Sequence, residues 1–575
     1  MESNRQLDPA RRASFSRALI LFVFLFLCLP LSAQQDATTD VTARMQQLLV
    51  NEQWQAIVDI ATSVPNRTAE IEYIEGIAFA KLGRLREAQS AFLHGQQLSP
   101  NDPRFPLELG GIAFKEKRLA EATRWLRRAV SLAPEDKYAN DFLGTVYFLL
   151  GNQEAALKYW NRNGKPRIES VRSEPKLSLD PVIFDRAIDF APGTILTPQQ
   201  LLNSEARLKG LGVLPVFKIN LQARPNGSFD AVVQAKESNG FGANKWVALL
   251  NTFRGIIFET VTPEYYNIHG SATSVLTMYR WDVNKRRVLA SVGGPVRRDP
   301  RWHYRLAFDF RNENWALKNF SGLPTASLGG LNFRRTAGTA EIVSLRSATW
   351  NWSTGAEFSD RDFRSVTVNP TLPASLFLGG KQLKHFARIG YEFLRIPERR
   401  FTTNIGLATQ EGRTWNSENP AFAKVQLGSR QHWYPQASGD DYEIQSQVRY
   451  GRTYGDVPFD ELFMLGIERD NDLMMRAHVG ADDGKKGTAP LGRNYFLTNW
   501  ELDKNIYGNS LFRLTVGPFV DIGKITDPDP SLGTRKWLFD TGVQVKIRTF
   551  GMRFAITYGK DLRTGNNEAY IYLTQ

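Results

Sequence analysis

Tyr304-Arg305-Leu306-Ala307-Phe308-Asp309-Phe310-Arg311 alternates large apolar side chains with charged or small ones and does not slip phase. In an extended chain successive side chains point to opposite faces, so one face here is aromatic or aliphatic and the other carries Arg305, Asp309 and Arg311. The same phase returns near the C-terminus, where Val543, Val545 and Ile547 oppose Gln544, Lys546 and Arg548. Met552, Phe554, Ile556 and Tyr558 likewise oppose Arg553, Ala555 and Thr557. An apolar outside and a polar inside is the pattern of a transmembrane β-barrel. A sheet in a soluble sandwich also alternates, but it rarely repeats large outward aromatics beside inward charges over so many strands.

Working outward, candidate strands separated by Gly, Pro, Asn and Asp turns continue from about residue 245. They predict an antiparallel barrel of roughly sixteen strands over 240–575. The 575-residue chain is 42% hydrophobic, which is ordinary for a folded protein. After its first forty residues no run reaches the ~18 apolar residues of a spanning helix, so any membrane role falls to strands.

At the N-terminus Arg11, Arg12 and Arg17 precede an apolar stretch over 18–29, then Pro30 and the small residues Ser32 and Ala33. That order predicts a secretory signal peptide, 1–33, cleaved after Ala33. Cys28, the one cysteine, lies inside it, so the mature chain is expected to use neither disulfides nor thiol chemistry. The formal charge is +13. Its basic residues are spread through the strands and loops without a cluster, which argues against nucleic acid and for a basic lumen and lipopolysaccharide-facing loops.

A 34-residue period runs through 40–165. Gly76, Gly110 and Gly144 recur at that spacing, as do Ala88, Ala122 and Ala156, then Phe92, Leu126 and Trp160, while Pro100 and Pro134 close two units. Small residues let paired helices approach, bulky ones fill the gap and proline ends the second helix. The pattern resembles tetratricopeptide repeats, with a degenerate first unit around Trp54, Ala56 and Pro65. The resemblance implies a concave docking surface for partner proteins; a plain helical bundle is the alternative.

A polar stretch over 166–180 reads as a linker. The segment 181–239 then reads strand (182–190), helix (197–211, with Thr197 as cap and Pro198 in the first turn), strand (213–223) and strand (229–235). Phe190-Ala191-Pro192-Gly193, Glu205-Ala206-Arg207-Leu208, Leu211-Gly212-Val213 and Val216-Phe217-Lys218-Ile219 resemble a polypeptide-transport-associated (POTRA) domain, with an unrelated small α/β domain as the alternative. Its expected core is Leu208, Val216, Phe217 and Ile219. Its free sheet edge would accept an extended client as an added strand.

Such a module directly before a barrel resembles the bacterial surface antigen family of outer-membrane assembly and translocation proteins. In that family a long loop folds into the lumen and sets an arginine of a Val/Leu-Arg-Gly-Phe/Tyr sequence against the aspartate of a Phe-x-Asp-x-Gly strand. Phe519-Val520-Asp521-Ile522-Gly523 matches the second motif in full. Met475-Arg476-Ala477-His478 keeps only the arginine and a terminal ring. The resemblance implies that Arg476 and Asp521 lock the loop; a solvated arginine and a turn aspartate are the alternative. The chain ends Tyr570-Ile571-Tyr572-Leu573-Thr574-Gln575, without the terminal aromatic common in barrels.

No chemistry of catalysis stands out. His94, His269, His303, His385, His432 and His478 show no ligand spacing, and Asp470-Asn471-Asp472 and Asp527-Pro528-Asp529 lack the glycine and distal glutamate of a calcium loop and read as turns. The expectation is therefore no enzyme, no cofactor and no metal. Together these readings imply an outer-membrane protein with periplasmic N-terminal domains, acting on unfolded client proteins by insertion or export. A substrate-dedicated exporter, including of polysaccharide, and a passive surface barrel stay open.

Overall fold

The computed structural model describes residues 29–573 apart from 243–247, 250–251, 254, 257, 321–325, 437–440, 509–511 and 550–551. The expected leader lies almost wholly outside the described residues, and its described part, from Leu29, belongs to helix Leu29–Val50. The chain forms two compact units, 1–150 and 151–575.

The first unit is a run of helices: Leu29–Val50, Trp54–Thr62, Ala69–Lys81, Leu85–Leu98, Arg104–Lys115, Leu119–Leu132 and Lys137–Leu149. Thr68 starts one of them by accepting from the Ile71 amide, and Asp136 starts another by accepting from Ala139. The repeat positions meet as pairs. A Cβ on Gly76 would stand 2.4 Å from the Phe92 ring, and one on Gly110 2.7 Å from Leu126. Ala88 and Ala122 are fully buried beside them, and Gly144 is buried in the last helix.

Ala156 and Trp160, the third members of their series, are buried on helix Gln153–Trp160 in the second unit. The structural boundary therefore comes after Leu150, before the expected 165. The cause lies in what this helix touches. Asn152 donates to the Pro397 carbonyl (2.8 Å), Glu154 pairs with Arg395 (2.9 Å) and Lys158 pairs with Glu398 (2.6 Å), all at a turn of the barrel.

Next comes a small domain with strand Ile168–Glu174, helices Pro181–Ala187 and Pro198–Gly210, and strands Val216–Ala223 and Phe229–Lys236. Its sheet order is first, last, middle, with the first two strands of that order parallel. Three expectations are corrected here. The span read as a linker contains a strand, hidden by its polar composition because only Ile168 is buried. The span read as a strand, 182–190, is mostly helix, because Asp180 caps the Val182 amide and Pro181 occupies the first turn. Val216 is 49% exposed and not core: Ile219 and Leu221 point inward, and a period of two sends residue 216 outward. Leu208 and Ile219 are buried, Phe217 half-buried. The expected helix start is present as a capping box between Thr197 and Gln200.

The wall strands pair antiparallel, mostly in chain order, and their order is that of a closed barrel; the short loop strand Lys485–Lys486 meets strand Asp299–Asn319 in a parallel bridge. Nineteen strand segments take part among the described residues, rather than sixteen. Fourteen are wall strands of 7 to 21 residues; the excess comes from the first part of the wall, broken into pieces of two or three residues, and from a short hairpin in the loop discussed below. Leu306, Phe308, Val543, Ile556 and Tyr558 are exposed on the outer face, whereas Gln544, Ala555 and Thr557 are buried on the inner one. The small domain sits at the end of the barrel that carries short turns. Arg298 pairs with Asp180 (3.1 Å), Arg207 donates to the Arg346 carbonyl (3.0 Å) and the Ala348 amide donates to Asn203 (2.9 Å).

Candidate functional site

Between strands Tyr442–Gly455 and Asn494–Gly508 the chain leaves the wall for residues 456–493 and folds back inside it. Its apolar side chains are part of the reason. Phe459, Met464 and Leu491 join a buried cluster with Leu317, Leu331 and Phe333 of the wall, and Phe463, Leu465 and Met475 join another with Tyr495, Leu497 and Ile525.

Charge then fixes the loop at separate stations. At the first, Arg476 is 2% exposed and Asp521 fully buried. The Arg476 amide and Nε donate to Asp521 Oδ2 (3.0 and 2.9 Å), Nη2 donates to Oδ1 (2.6 Å), and Nη1 donates to Glu501 (2.5 Å) and Gln544 (2.9 Å). This two-pronged contact fixes direction as well as position. Phe519 and Gly523 lie two residues either side of Asp521, so all three face the lumen. The Phe519 ring lies 4.0 Å beneath the Arg476 guanidinium, a cation–π contact in a dry site. A Cβ on Gly523 would meet the Met475 sulfur at 2.8 Å. The three fixed positions of the Phe-x-Asp-x-Gly motif thus contribute differently, as a ring under the cation, a carboxylate around it, and space for its neighbour.

Two further stations escaped sequence reasoning. Glu461 accepts from Lys384 (2.9 Å), Lys424 (3.2 Å) and Arg361 (3.1 Å), and Asp460 accepts from Arg361 (2.7 Å). Across the loop hairpin, Lys486 reaches Glu313 (2.7 Å), Asp470 (3.2 Å) and Glu468 (3.3 Å), while Asp470 also holds Arg280 (3.0 Å) and Arg287 (2.6 Å). Asp470 is therefore no simple turn residue, which corrects the expectation for 470–472. The buried cations named here are matched by carboxylates, as an interior of low dielectric requires. Partners so far apart in sequence leave no local pattern.

Glycine sets how closely the loop approaches. A Cβ on Gly559 would come 2.5 Å from the Arg476 carbonyl oxygen. Beside it the Ala477 amide donates to Asp540 Oδ2 (2.7 Å), and His478 stands between two carboxylates, Nδ1 3.1 Å from Asp540 and Nε2 3.7 Å from Asp561. These three groups approach within 4.8 Å of one another, a cluster that histidine spacing along the chain did not reveal. Tyr572 receives the Gln544 side-chain amide (2.9 Å), which links the last strand to the Arg476 station.

No family model matches the chain, and no curated relative matches it. Among solved structures, it is similar to BamA from Haemophilus ducreyi lacking POTRA domains 1-3, at 12% identity and a TM-score of 0.39, over 71% of this chain and 84% of that one. It is also similar to CdiB from Escherichia coli, at 11% identity and a TM-score of 0.43, over 71% and 75% of the two chains. For CdiB from Acinetobacter baumannii the values are 11%, 0.41, 71% and 77%. At these identities the function is read from the residues of the chain itself.

Proposed function

We propose that this chain is an outer-membrane factor that inserts client polypeptides into the membrane or exports them across it, with its N-terminal domains in the periplasm. The observation that carries the reading is the buried docking of Arg476 on the Phe519-x-Asp521-x-Gly523 strand. A loop held through a desolvated charge pair is a plug with two discrete positions, because breaking the pair leaves an uncompensated buried charge. A passive barrel has no need of one.

The other parts suit the same role. The helical hairpins, read as a tetratricopeptide arm, gather a client or a periplasmic partner. The small domain, read as POTRA-like, leaves strand Val216–Ala223 on the edge of its sheet, where an extended client can pair through backbone hydrogen bonds. Strand Asn567–Leu573 and the first short strand, Gly240–Phe241, are neighbours in the barrel order. That seam is where the wall would part. Strand pairing and lipid burial drive the process; no nucleotide, cofactor or catalytic residue is required.

Depletion of the protein followed by profiling of the outer membrane tests the reading. Loss of many barrels is the result expected of an assembly factor, and loss of one surface product identifies a dedicated exporter. An unchanged membrane would overturn both. Arg476→Ala is expected to fold and to fail in complementation.

A further inference from the structure

His478 lies two residues beyond Arg476 on the docked loop. Its ring is 13% exposed, and it faces Asp540 and Asp561, themselves 0% and 5% exposed, through different nitrogens. Asp540 comes from strand Leu538–Thr549 and Asp561 ends strand Met552–Asp561. The remaining charges around the ring are Arg563, in the turn beyond Asp561, and Asp521, already held by Arg476. Asp561 is fixed in place by the Arg563 amide (2.8 Å) and the Thr564 hydroxyl (2.6 Å).

A neutral imidazole has one N–H. It can serve one carboxylate and must turn a lone pair toward the other. Only the imidazolium turns an N–H toward both, in a hydrogen bond to Asp540 (3.1 Å) and a longer charge contact to Asp561 (3.7 Å), and it offsets their buried negative charge.

We propose that His478 is a proton-dependent latch on the plug: the loop docks with the ring doubly protonated, and loss of that proton loosens it from the strands of Asp540 and Asp561. Burial works against the charged ring, but Asp540 and Asp561 outweigh it and raise its pKa in the docked loop. A free histidine titrates near ~6.5. The latch is therefore complete below that value and is lost as pH rises through the higher docked one, by about tenfold in the docking equilibrium for each unit of difference.

The test is conductance of the full-length protein in planar lipid bilayers from pH 5.5 to 9. Wild type is expected to open about tenfold more often at the alkaline end for one unit of difference. His478→Asn and Asp561→Asn, each checked for a folded barrel by heat-modifiable mobility, are expected to show little pH dependence. A flat wild-type profile, or a variant that keeps the wild-type slope, overturns the latch. Opening by a chelator at pH 6 also overturns it, since a cation would then be the tie. The latch rests on the plug reading above, and Arg476→Ala separates the two. If that variant opens at every pH while wild type is flat, the latch alone fails; if it stays as closed as wild type, the plug fails with it.

Discussion

The helical hairpins of the first unit and the loop over 456–493 are both densely packed, but they are held by opposite means. In the hairpins Gly76 meets Phe92 and Gly110 meets Leu126, sixteen residues apart in each case, and these contacts are apolar. In the loop Lys486 meets Glu313 and Arg476 meets Asp521, and charge is buried beside the apolar clusters. Apolar contacts near in sequence give graded stability and a visible period. Buried charges far apart in sequence give a loop that is either docked or not, because partial pairing costs more than full pairing or full hydration.

The largest expected effect comes from breaking that second kind of contact. Asp521→Ala would leave Arg476 buried with Glu501 as its remaining carboxylate and should cost about 3–5 kcal/mol of loop docking. The measurement is trypsin cleavage within 456–493 in the folded barrel; unchanged protection would show that the pair does not hold the loop.

In the hairpins, Leu126→Ala faces a glycine that offers no atoms to refill the space, and should cost about 3 kcal/mol. Hydrogen exchange should quicken in Arg104–Lys115 and Leu119–Leu132 while loop protection stays as in wild type. If both regions respond, the contrast between them is false.

A smaller effect is expected at the approach of loop to wall. Gly559→Ala sets a methyl 2.5 Å from the Arg476 carbonyl oxygen and should weaken docking by about 2 kcal/mol. Proteolysis intermediate between wild type and Asp521→Ala is the expected outcome.

The smallest concerns Glu205, beside the joint of helix Gln153–Trp160 with the small domain. Burial, then the nearby Glu154 charge, pushes its carboxyl up to about 7, against the pull of Arg395. A carboxyl whose folded pKa lies above its unfolded value disfavours folding once ionised, so helix Pro198–Gly210 should lose stability as pH rises from about 4.5 through 7. Glu205→Gln should slow hydrogen exchange there at pH 8 and leave it unchanged at pH 4. Equal effects at both values would exclude titration as the cause.

Much of the architecture was legible in the chain because it is periodic. The two-residue phase at 304–311 places Leu306 and Phe308 outside, and the 34-residue spacing picks out Gly76 with Phe92 and Gly110 with Leu126, which touch. The Arg476 station was legible through the residues around Asp521, although only the arginine of the loop's four motif positions is kept. Strand Ile168–Glu174 was not legible, since a mostly polar strand beside a buried one carries no hydrophobic phase. Neither were Asp460, Glu461 and Lys486, whose partners stand scores of residues away.

By itself, then, the sequence determined the helical repeat and the long wall strands, because side-chain period follows from backbone geometry alone. Only the tertiary structure decided what stands inside the wall. A buried ion pair depends on closure of the sheet to bring its members together, so His478 between two aspartates, Lys486 among three carboxylates and Arg476 on its ring exist as sites only once the barrel has formed.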